Sequence, residues 1–136
     1  MNKTFAYYIA FLHKDFVNYS TAEFKRLGFN FGQFPFILYV GKHPNCTQSD
    51  LTNKLNLDWG HSSRTIAKLV ENGFIIKENS DNKNYRLTLS SKGNEAFKLM
   101  HDVFDSWDNK HLASLSETEK ATLLLLNEKI VGNSKS

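Results

Sequence analysis

Residues 47–90 constrain the fold more than any other stretch of the chain, because the start and stop signals of several elements follow one another closely there. Thr47 and Asp50 have capping-box spacing, in which a hydroxyl and a carboxylate satisfy free N–H groups at a helix start. Asp58 is a suitable N-cap for a second helix, and Gly73 stands where a helix-ending glycine belongs. Two short helices joined by a tight turn are therefore predicted.

A two-stranded β-ribbon is predicted after the second helix, which should end near Asn72. The apolar residues at 74–76 predict a short buried strand. The segment 79–84, with the sequence NSDNKN, has the residues that favour turns. Polar and apolar residues alternate over 85–89, which is the period of a half-buried strand.

This order of elements is typical of a winged helix-turn-helix, and the residues that carry it also match one known family. The matching pieces are His43-Pro44, Thr47-Gln48-Ser49-Asp50-Leu51, Ser63-Arg64-Thr65-Ile66, Leu69-x-x-x-Gly73-Phe74-Ile75, Asp81-x-Lys83 and Leu89-Ser90-x-x-Gly93. In these pieces, and in layout over nearly the whole chain, the sequence resembles the MarR-type transcription regulators. The resemblance implies a mainly α fold with a small β-wing and with N- and C-terminal dimerisation helices.

The chain length suits one MarR-like domain over residues 1–136. Residues 29–90 would form the winged helix-turn-helix DNA-binding lobe, and residues 1–28 and 91–136 would form the dimerisation helices. The helices outside the helix-turn-helix are expected over Lys3–Leu27, Phe31–Val40, from Ser90 or Ser91 to about Leu115, and from Ser116 to about Val131.

Local signals leave some boundaries open. Ser20 and Glu23 also have capping-box spacing, so the first helix is either continuous or broken at that point. Pro35 requires the next helix to start late or to bend, because proline removes a backbone hydrogen bond inside a helix. Residues 41–45, with the sequence GKHPN, predict a loop, and the residues from Gly132 onward predict a frayed tail.

The terminal helices carry more apolar surface than contact within one small domain requires. Four consecutive leucines at 123–126 cannot all face one side of a helix. The large apolar positions of the first helix are Phe5, Tyr8, Ile9, Phe11, Leu12, Phe16, Tyr19 and Phe24. A homodimer with interlocking terminal helices, as in MarR-like regulators, would bury this surface, although the aromatic residues also fit an intradomain core.

Charge is distributed unevenly along the chain. Residues 42–92 carry eight basic and five acidic residues, whereas residues 93–136 carry five basic and seven acidic. This asymmetry points to a polyanionic partner for the middle of the chain, although ordinary scatter of surface charge is the alternative. Without an apolar run of about 18 residues, no membrane span is expected. The single cysteine fits a reducing cytoplasm.

The second helix of a helix-turn-helix lies in the major groove, with its N-terminal half nearest the bases. Ile66 and Leu69 should face inward, so Arg64 should face outward, towards guanine or phosphate. The alternative for Arg64 and Lys68 is a solvated helix face with salt bridges. At the start of the first helix, free N–H groups and the helix dipole favour phosphate. The predicted DNA-binding residues are Thr47, Gln48, Ser49, His61, Ser62, Ser63, Arg64, Thr65, Lys68, Lys83 and Asn84.

The sequence departs from the family pattern at three places. The family typically has arginine two residues after Asp81, where this chain has Lys83, which neutralises phosphate but reads the minor groove less well. Ser62 stands where the family usually has a small aliphatic residue, and Trp59-Gly60 is unusual at a helix start. These departures predict an altered docking angle or an unusual target site.

No cofactor, metal site or catalytic centre is predicted. Cys46, in the loop before the DNA-binding helices, is interpreted as an inert thiol. Together with His43 and His61 it matches no standard zinc spacing, and His101 and His111 are too far apart along one helix to share an ion. The chain has no phosphate loop, GxSxG or HExxH motif, so the enzyme classes that these motifs mark are excluded.

The predicted function is sequence-specific, DNA-binding transcription regulation by a cytoplasmic homodimer that acts as a repressor on a pseudo-palindromic, double-stranded operator. The resemblance also implies release by a small aromatic effector, and the aromatic residues of the first two helices would line its pocket or form plain core. The alternative is a winged-helix module for protein–protein interaction, with Trp59-Gly60-His61 as a contact patch. A DNA reader should lose far more affinity with added salt than such a module.

Overall fold

The computed structural model describes residues 3–79 and 85–134, and it divides into a first unit that extends to Val103 and a second that begins at Phe104. The described elements are mostly helical with one small antiparallel sheet, which confirms the predicted fold class. In chain order they are α1 (Phe5–Leu27), α2 (Phe34–Lys42), β1 (Cys46–Thr47), α3 (Gln48–Lys54), α4 (Trp59–Glu71), β2 (Ile75–Asn79), β3 (Tyr85–Leu89), α5 (Ser91–His111) and α6 (Glu117–Ser134).

The sheet has the order β1-β3-β2, with both pairings antiparallel. Strands β2 and β3 are the predicted ribbon, and they pair in register from Ile75 opposite Leu89 to Asn79 opposite Tyr85. Strand β1 was not predicted, because two residues carry no periodicity and its partner residue, Leu87, is distant in sequence. The predicted turn at 80–84 lies outside the described residues.

The prediction that 74–76 form a buried strand is wrong in part. Phe74 is fully buried but lies in a bend before β2, where Ser90 N donates to its carbonyl oxygen at 3.0 Å. Ile75 is buried in the strand, whereas Ile76 is 43% exposed. The cause is the strand period: successive side chains point to opposite faces, and only one face of β2 meets the core.

The caps of the helix-turn-helix form as predicted. Thr47 Oγ1 accepts from Asp50 N, and Asp50 Oδ2 accepts from Thr47 N, both at 3.0 Å. Asp58 Oδ2 accepts from His61 N at 2.9 Å and so begins α4. Gly73 has φ +85°, a left-handed conformation that a side chain would oppose.

Aromatic rings join α1 to the helix-turn-helix. Phe24 stacks on Phe29 with ring centroids 4.9 Å apart, and Phe29 meets Phe74 edge to face at 5.8 Å. The fully buried aliphatic side chains around them come from α2, α3, α4, β3 and α5. They are Ile37, Val40, Leu51, Ile66, Leu69, Leu87 and Met100.

Helix α1 is continuous, so the break considered near Ser20 does not occur. The Ser20 hydroxyl donates to the Phe16 carbonyl one turn earlier in the helix instead of capping a new one. The helix begins at Phe5, two residues later than predicted, because Thr4 is the N-cap and accepts from Tyr7 N at 3.1 Å.

Helix α2 begins at Phe34, so the predicted start at Phe31 is wrong and the late start required by Pro35 is correct. Asn30 and Gln33 instead hold a turn before the helix, since each backbone N–H donates to the other side-chain oxygen, at 3.0 and 2.9 Å. The helix also continues through Gly41, which was predicted to lie in a loop. A Cβ at Gly41 would lie 2.3 Å from the Phe97 ring, so this glycine permits close packing rather than ending the helix.

The last helices also differ at their ends. Ser90 begins α5 by accepting from Gly93 N at 3.0 Å, and the helix ends at His111 rather than near Leu115. The capping box of Ser116 and Glu119 forms as predicted, at 2.8 and 3.1 Å. Helix α6 continues to Ser134, so the predicted fraying does not occur over residues 132–134, and the last two residues of the predicted tail lie outside the described residues. None of the described helices is both long and apolar enough to span a membrane.

Candidate nucleic-acid interface

Helix α4 has one buried and one exposed face. Ser62, Ile66 and Leu69 are buried at consecutive turns, which anchors the helix in the core of the first unit. Arg64 and Lys68, four residues apart on the opposite side, are exposed. The helix therefore presents two cationic side chains to solvent from a rigidly packed support, as the spacing predicted.

The prediction that Ser62 contacts DNA is wrong. Its side chain is fully buried, and its hydroxyl lies 2.7 Å from that of Thr52 in α3. This hydroxyl pair joins the two helices of the helix-turn-helix where the family usually has an aliphatic side chain. The departure from the family pattern at Ser62 is thus a packing feature and adds nothing to the exposed surface.

The start of α3 is bonded to the exposed side of α4. Gln48 Nε2 donates to Ser63 Oγ at 2.7 Å, so both side chains are fixed relative to one another. Thr47, Gln48, Ser49 and Ser63 then line one side of a cleft of about 310 Å³. The cleft is completed by Trp59, Lys77 and Tyr85, and we call it the wing cleft.

A second cleft, of about 400 Å³, lies along the other side of α4. It contains four of the predicted site residues, His61, Arg64, Thr65 and Lys68. Asn30, Gly32 and Gln33, from the turn before α2, complete its lining. We call it the loop cleft.

The positions of the side chains in the loop cleft bear on their predicted roles. Thr65 Oγ1 donates to the His61 carbonyl at 3.0 Å, so its hydroxyl proton is already used. A Cβ on Gly60 would lie 3.2 Å from Arg64 Nη1, which places the guanidinium over the first turn of α4. Lys68 and Glu71 form an exposed ion pair at 3.9 Å, and such pairs contribute little and exchange readily. Arg64 is thus near the N-terminal end of α4, and Lys68 is farther along.

The wing contributes cations that sequence reasoning did not single out. Lys77 Nζ lies 4.0 Å from the centroid of the Tyr85 ring, and Arg86 Nη1 donates to the Asn45 carbonyl at 3.3 Å. The strand register could have indicated Lys77, because Tyr85 pairs with Asn79, two residues from Lys77 on the same face. The predicted wing residues Lys83 and Asn84 lie outside the described residues.

Cys46 is buried in β1, and burial raises the pKa of its thiol to about 11, with a smaller contribution from the Asp50 carboxylate. A thiol with such a pKa is almost wholly protonated near neutral pH and is a poor nucleophile. Burial also raises the pKa of Tyr39. Among residues 3–79 and 85–134, no group of three or more potential ligands is arranged to hold a metal ion.

Comparison with known proteins identifies the family. The family model described as MarR family matches residues 31–84. The HTH-type transcriptional regulator BilQ of Clostridium symbiosum is 36% identical over 132 residues, which are 96% of this chain and 92% of the relative. The BilQ regulator of Clostridioides difficile is 28% identical, over 90% of this chain and 84% of the relative.

Solved structures agree over nearly the full length. A MarR family regulator from Listeria monocytogenes, complexed with 26mer DNA, has a TM-score of 0.86 at 26% identity, covering 98% of this chain and 91% of that one. A MarR regulator from Methanosarcina mazei has a TM-score of 0.87 at 24% identity, covering 98% and 92%.

The fold and the exposed face of α4 define a DNA-binding transcription regulator of the winged helix-turn-helix class. Its relatives by sequence are likewise named as transcription regulators. The chain belongs to the MarR family. Regulators of this family are dimeric and bind DNA.

Proposed function

We propose that the protein is a sequence-specific repressor that binds a pseudo-palindromic, double-stranded operator as a homodimer. The observation that carries the proposal is the geometry of α4, in which Arg64 and Lys68 are exposed opposite a fully buried apolar stripe. A recognition helix needs this combination, because base contacts require a side chain held in a fixed position.

The proposed DNA-binding residues divide into those that contact base edges and those that contact the DNA backbone. Arg64 and His61, nearest the start of α4, are proposed to reach base edges, with Arg64 able to form a bidentate contact with guanine. Lys68 is proposed to contact phosphate. The hydroxyl and amide side chains that complete the set are Thr47, Gln48, Ser49, Ser63 and Thr65. The wing residues Lys83 and Asn84 are proposed to contact the DNA backbone, and Ser62 is not part of the site because it is buried.

The chain is also proposed to be divided into a DNA-binding lobe and segments that form the dimer interface. Residues 29–90 form the DNA-binding lobe, and residues 1–28 and 91–136 supply the dimer interface. The exposed apolar side chains of α1 and α6 support this division, because both helices leave aromatic or aliphatic surface uncovered within the single chain. A small aromatic effector is proposed to release the DNA. The protein is proposed to bind chromosomal DNA in the cytoplasm, and this regulation requires no catalytic step.

The testing experiment is a binding titration on the DNA upstream of the protein's own gene, against a scrambled competitor, at 50 to 200 mM salt. We expect competitor-resistant binding of one dimer per site. With six to ten phosphate contacts, the affinity should fall by a factor on the order of 10³–10⁵ over that range. Binding that is equally weak on both DNAs, with little salt dependence, would instead favour the protein–protein interaction module.

Two variants separate the proposed roles. Arg64→Ala should cost about 1–3 kcal/mol of specific binding and relax the base preference at one position of each half-site. Lys83→Ala should weaken binding to specific and scrambled DNA alike and reduce the salt dependence. If Arg64→Ala left specific affinity unchanged, the placement of α4 as recognition helix would be wrong.

A further inference from the structure

The first residue of α4 is an exposed tryptophan. Trp59 is 56% exposed. It lies between Asp58, which is small and polar, and Gly60, which has no side chain. An indole ring left in water loses the favourable free energy that burial would give it, so an exposed Trp beside a functional surface indicates a contact. No residue of the proposed DNA-binding set supplies a large apolar ring at this end of the helix.

A second aromatic side chain lies across the wing cleft from α4. Tyr85 opens β3 and is 42% exposed. The Lys77 ammonium lies 4.0 Å from the centroid of its ring, close enough for a cation–π contact that holds the charge beside the aromatic face. The side of the cleft formed by the wing is therefore both aromatic and positively charged.

The wing cleft continues the surface that is already proposed to bind DNA. Ser63 and Gln48, joined by their 2.7 Å hydrogen bond, lie on its helix side. Its volume of about 310 Å³ leaves room for one sugar–phosphate unit. The Asp50 carboxylate nearby is occupied by Thr47 N, so its charge is partly satisfied within the capping box.

We propose that the wing cleft holds one strand of double-stranded DNA and that Trp59 is a specificity-determining residue. The indole of Trp59 packs on a sugar and on a thymine methyl group in the major groove, where apolar side chains distinguish thymine from the other bases. Lys77 neutralises the adjacent phosphate, and Tyr85 holds Lys77 in place. This inference rests on the proposed function and adds an apolar contact to the polar and cationic contacts proposed there.

The first test follows Trp59 directly by fluorescence. Trp107→Phe leaves Trp59 as the only tryptophan, and Trp59→Phe leaves only Trp107 as the matched control. The probe is a fluorescein-labelled duplex of 26 base pairs from upstream of the protein's own gene, whose anisotropy reports binding independently. On saturation we expect acrylamide quenching of Trp59 to fall by about half or more, and that of Trp107 to stay unchanged.

The second test measures the thymine contact. The same duplex is prepared with uracil in place of every thymine, which removes only the methyl groups from the major groove. The unaltered protein should lose about fourfold in affinity for each methyl group contacted, the equivalent of about 0.8 kcal/mol of apolar burial. Trp59→Ala should bind the two duplexes equally, and Lys77→Ala should weaken binding to both while keeping the difference between them.

The outcomes distinguish this inference from the function on which it rests. Binding seen by anisotropy with unchanged quenching of Trp59, or an equal thymine preference in the unaltered protein and in Trp59→Ala, would overturn the inference and leave the regulator intact. If the labelled duplex does not bind even at 50 mM salt, both this inference and the proposed function are overturned.

Discussion

Helix α4 and the N-terminal half of α1 both present a broad face to solvent, but the two faces have opposite chemistry. In the middle of α4 the exposed residues include Arg64 and Lys68, whereas Ile66 and Leu69 are buried. In α1 the exposed residues include Phe5, Tyr8 and Phe11, at 57%, 51% and 69%. The apolar side of α4 is therefore buried within one chain. The start of α1 instead leaves an apolar surface exposed, which an apolar partner would cover.

The same contrast divides α1 itself. Its C-terminal half buries Phe24 completely among the rings of Phe29 and Phe34. Its N-terminal half, which the structure describes in full from Phe5, buries no large side chain in the single chain. Apolar burial contributes roughly 25 cal/mol of stabilising free energy per Å². The first half of α1 would therefore be stabilised by contact with a second subunit, whereas the second half is already stabilised by burial within the chain. One helix thus packs against the proposed lobe with its second half and leaves its first half for the proposed dimer interface.

The largest effect is expected from Phe24→Ala, which would test whether the second half of α1 is stabilised by packing against the lobe. Removal of a fully buried ring leaves a cavity, and the free energy of unfolding should fall by about 3–5 kcal/mol. Urea denaturation followed by circular dichroism measures this loss. Thr21→Ala, on the exposed side of the same helix, is the control and should change stability by less than about 0.5 kcal/mol. Similar values for both would remove the contrast between the halves.

A loss of about 3 kcal/mol is expected from Gly93→Ala, at the junction between the wing and α5. A Cβ there would lie 2.1 Å from the Phe74 carbonyl oxygen, and backbone atoms cannot move aside as a flexible side chain can. Thermal unfolding measures the change. Gly132→Ala is the matched control in α6, where a Cβ meets no described atom within 4 Å, and it should be neutral or stabilise by up to about 1 kcal/mol.

Local chemistry made part of this architecture predictable. The caps formed by Thr47 with Asp50, by Asp58 and by Ser116 with Glu119 were all predicted, because each joins residues three apart. Strand β3 was equally predictable, because its polar and apolar residues alternate with the two-residue repeat of a strand. The family resemblance added the arrangement of these elements, which no local signal contains.

Features that depend on residues distant in sequence were not predictable. Gly41 was expected to end a helix, but it serves as a contact site for Phe97, which is far away in the chain. Ser62 was assigned to DNA because it lies in the N-terminal half of the recognition helix, where a hydroxyl can reach bases or phosphate. Its buried partner Thr52 is identified only by the packing of α3 on α4. The wing cleft, which joins Trp59 to Lys77 and Tyr85, likewise depends on the tertiary fold.

The next prediction concerns the exposed half of α1. Phe11→Ser should weaken the proposed dimer by about tenfold to thirtyfold, because a large aromatic ring at an interface typically contributes more than 1 kcal/mol. Sedimentation velocity over a range of protein concentrations measures the dissociation constant. Lys14→Ser, one turn later and also exposed, is the control and should leave that constant within about twofold. An unchanged dimer in Phe11→Ser would place the interface elsewhere.

A smaller effect is expected from Ser62→Ala, which separates packing from recognition within α4. The substitution leaves the buried hydroxyl of Thr52 without its 2.7 Å partner, and stability should fall by about 1.5 kcal/mol. The double variant Thr52→Val, Ser62→Ala should recover part of this loss, because no unpaired hydroxyl remains. Specific DNA affinity per folded dimer should stay unchanged in both. A loss of affinity without a loss of stability would restore Ser62 to the DNA-binding set.

The smallest effect is expected from removal of the negative charge of Asp50, in the first turn of α3. Hydrogen bonds from the Thr47 backbone and side chain lower the pKa of Asp50 below its ordinary value, so the ionised carboxylate favours the folded state. This stabilisation should be complete above the unfolded-state pKa of about 3.9 and should disappear as the pH falls through the lower folded-state pKa. Asp50→Asn should therefore cost about 0.5 kcal/mol at pH 7 and almost nothing at pH 2.5.

Urea midpoints at the two pH values measure the difference, and Asp102→Asn, on the exposed surface of α5, corrects for the change in net charge. A cost that is the same at both pH values would mean that the Asp50 side chain caps α3 by geometry alone. The charge at the start of α3 would then matter only for the phosphate that is proposed to lie near it, and Asp50→Asn should strengthen DNA binding by removing a repulsion. The charge-based account also predicts lower stability and stronger DNA binding in this variant, so the pH dependence of the stability loss is what distinguishes the two accounts.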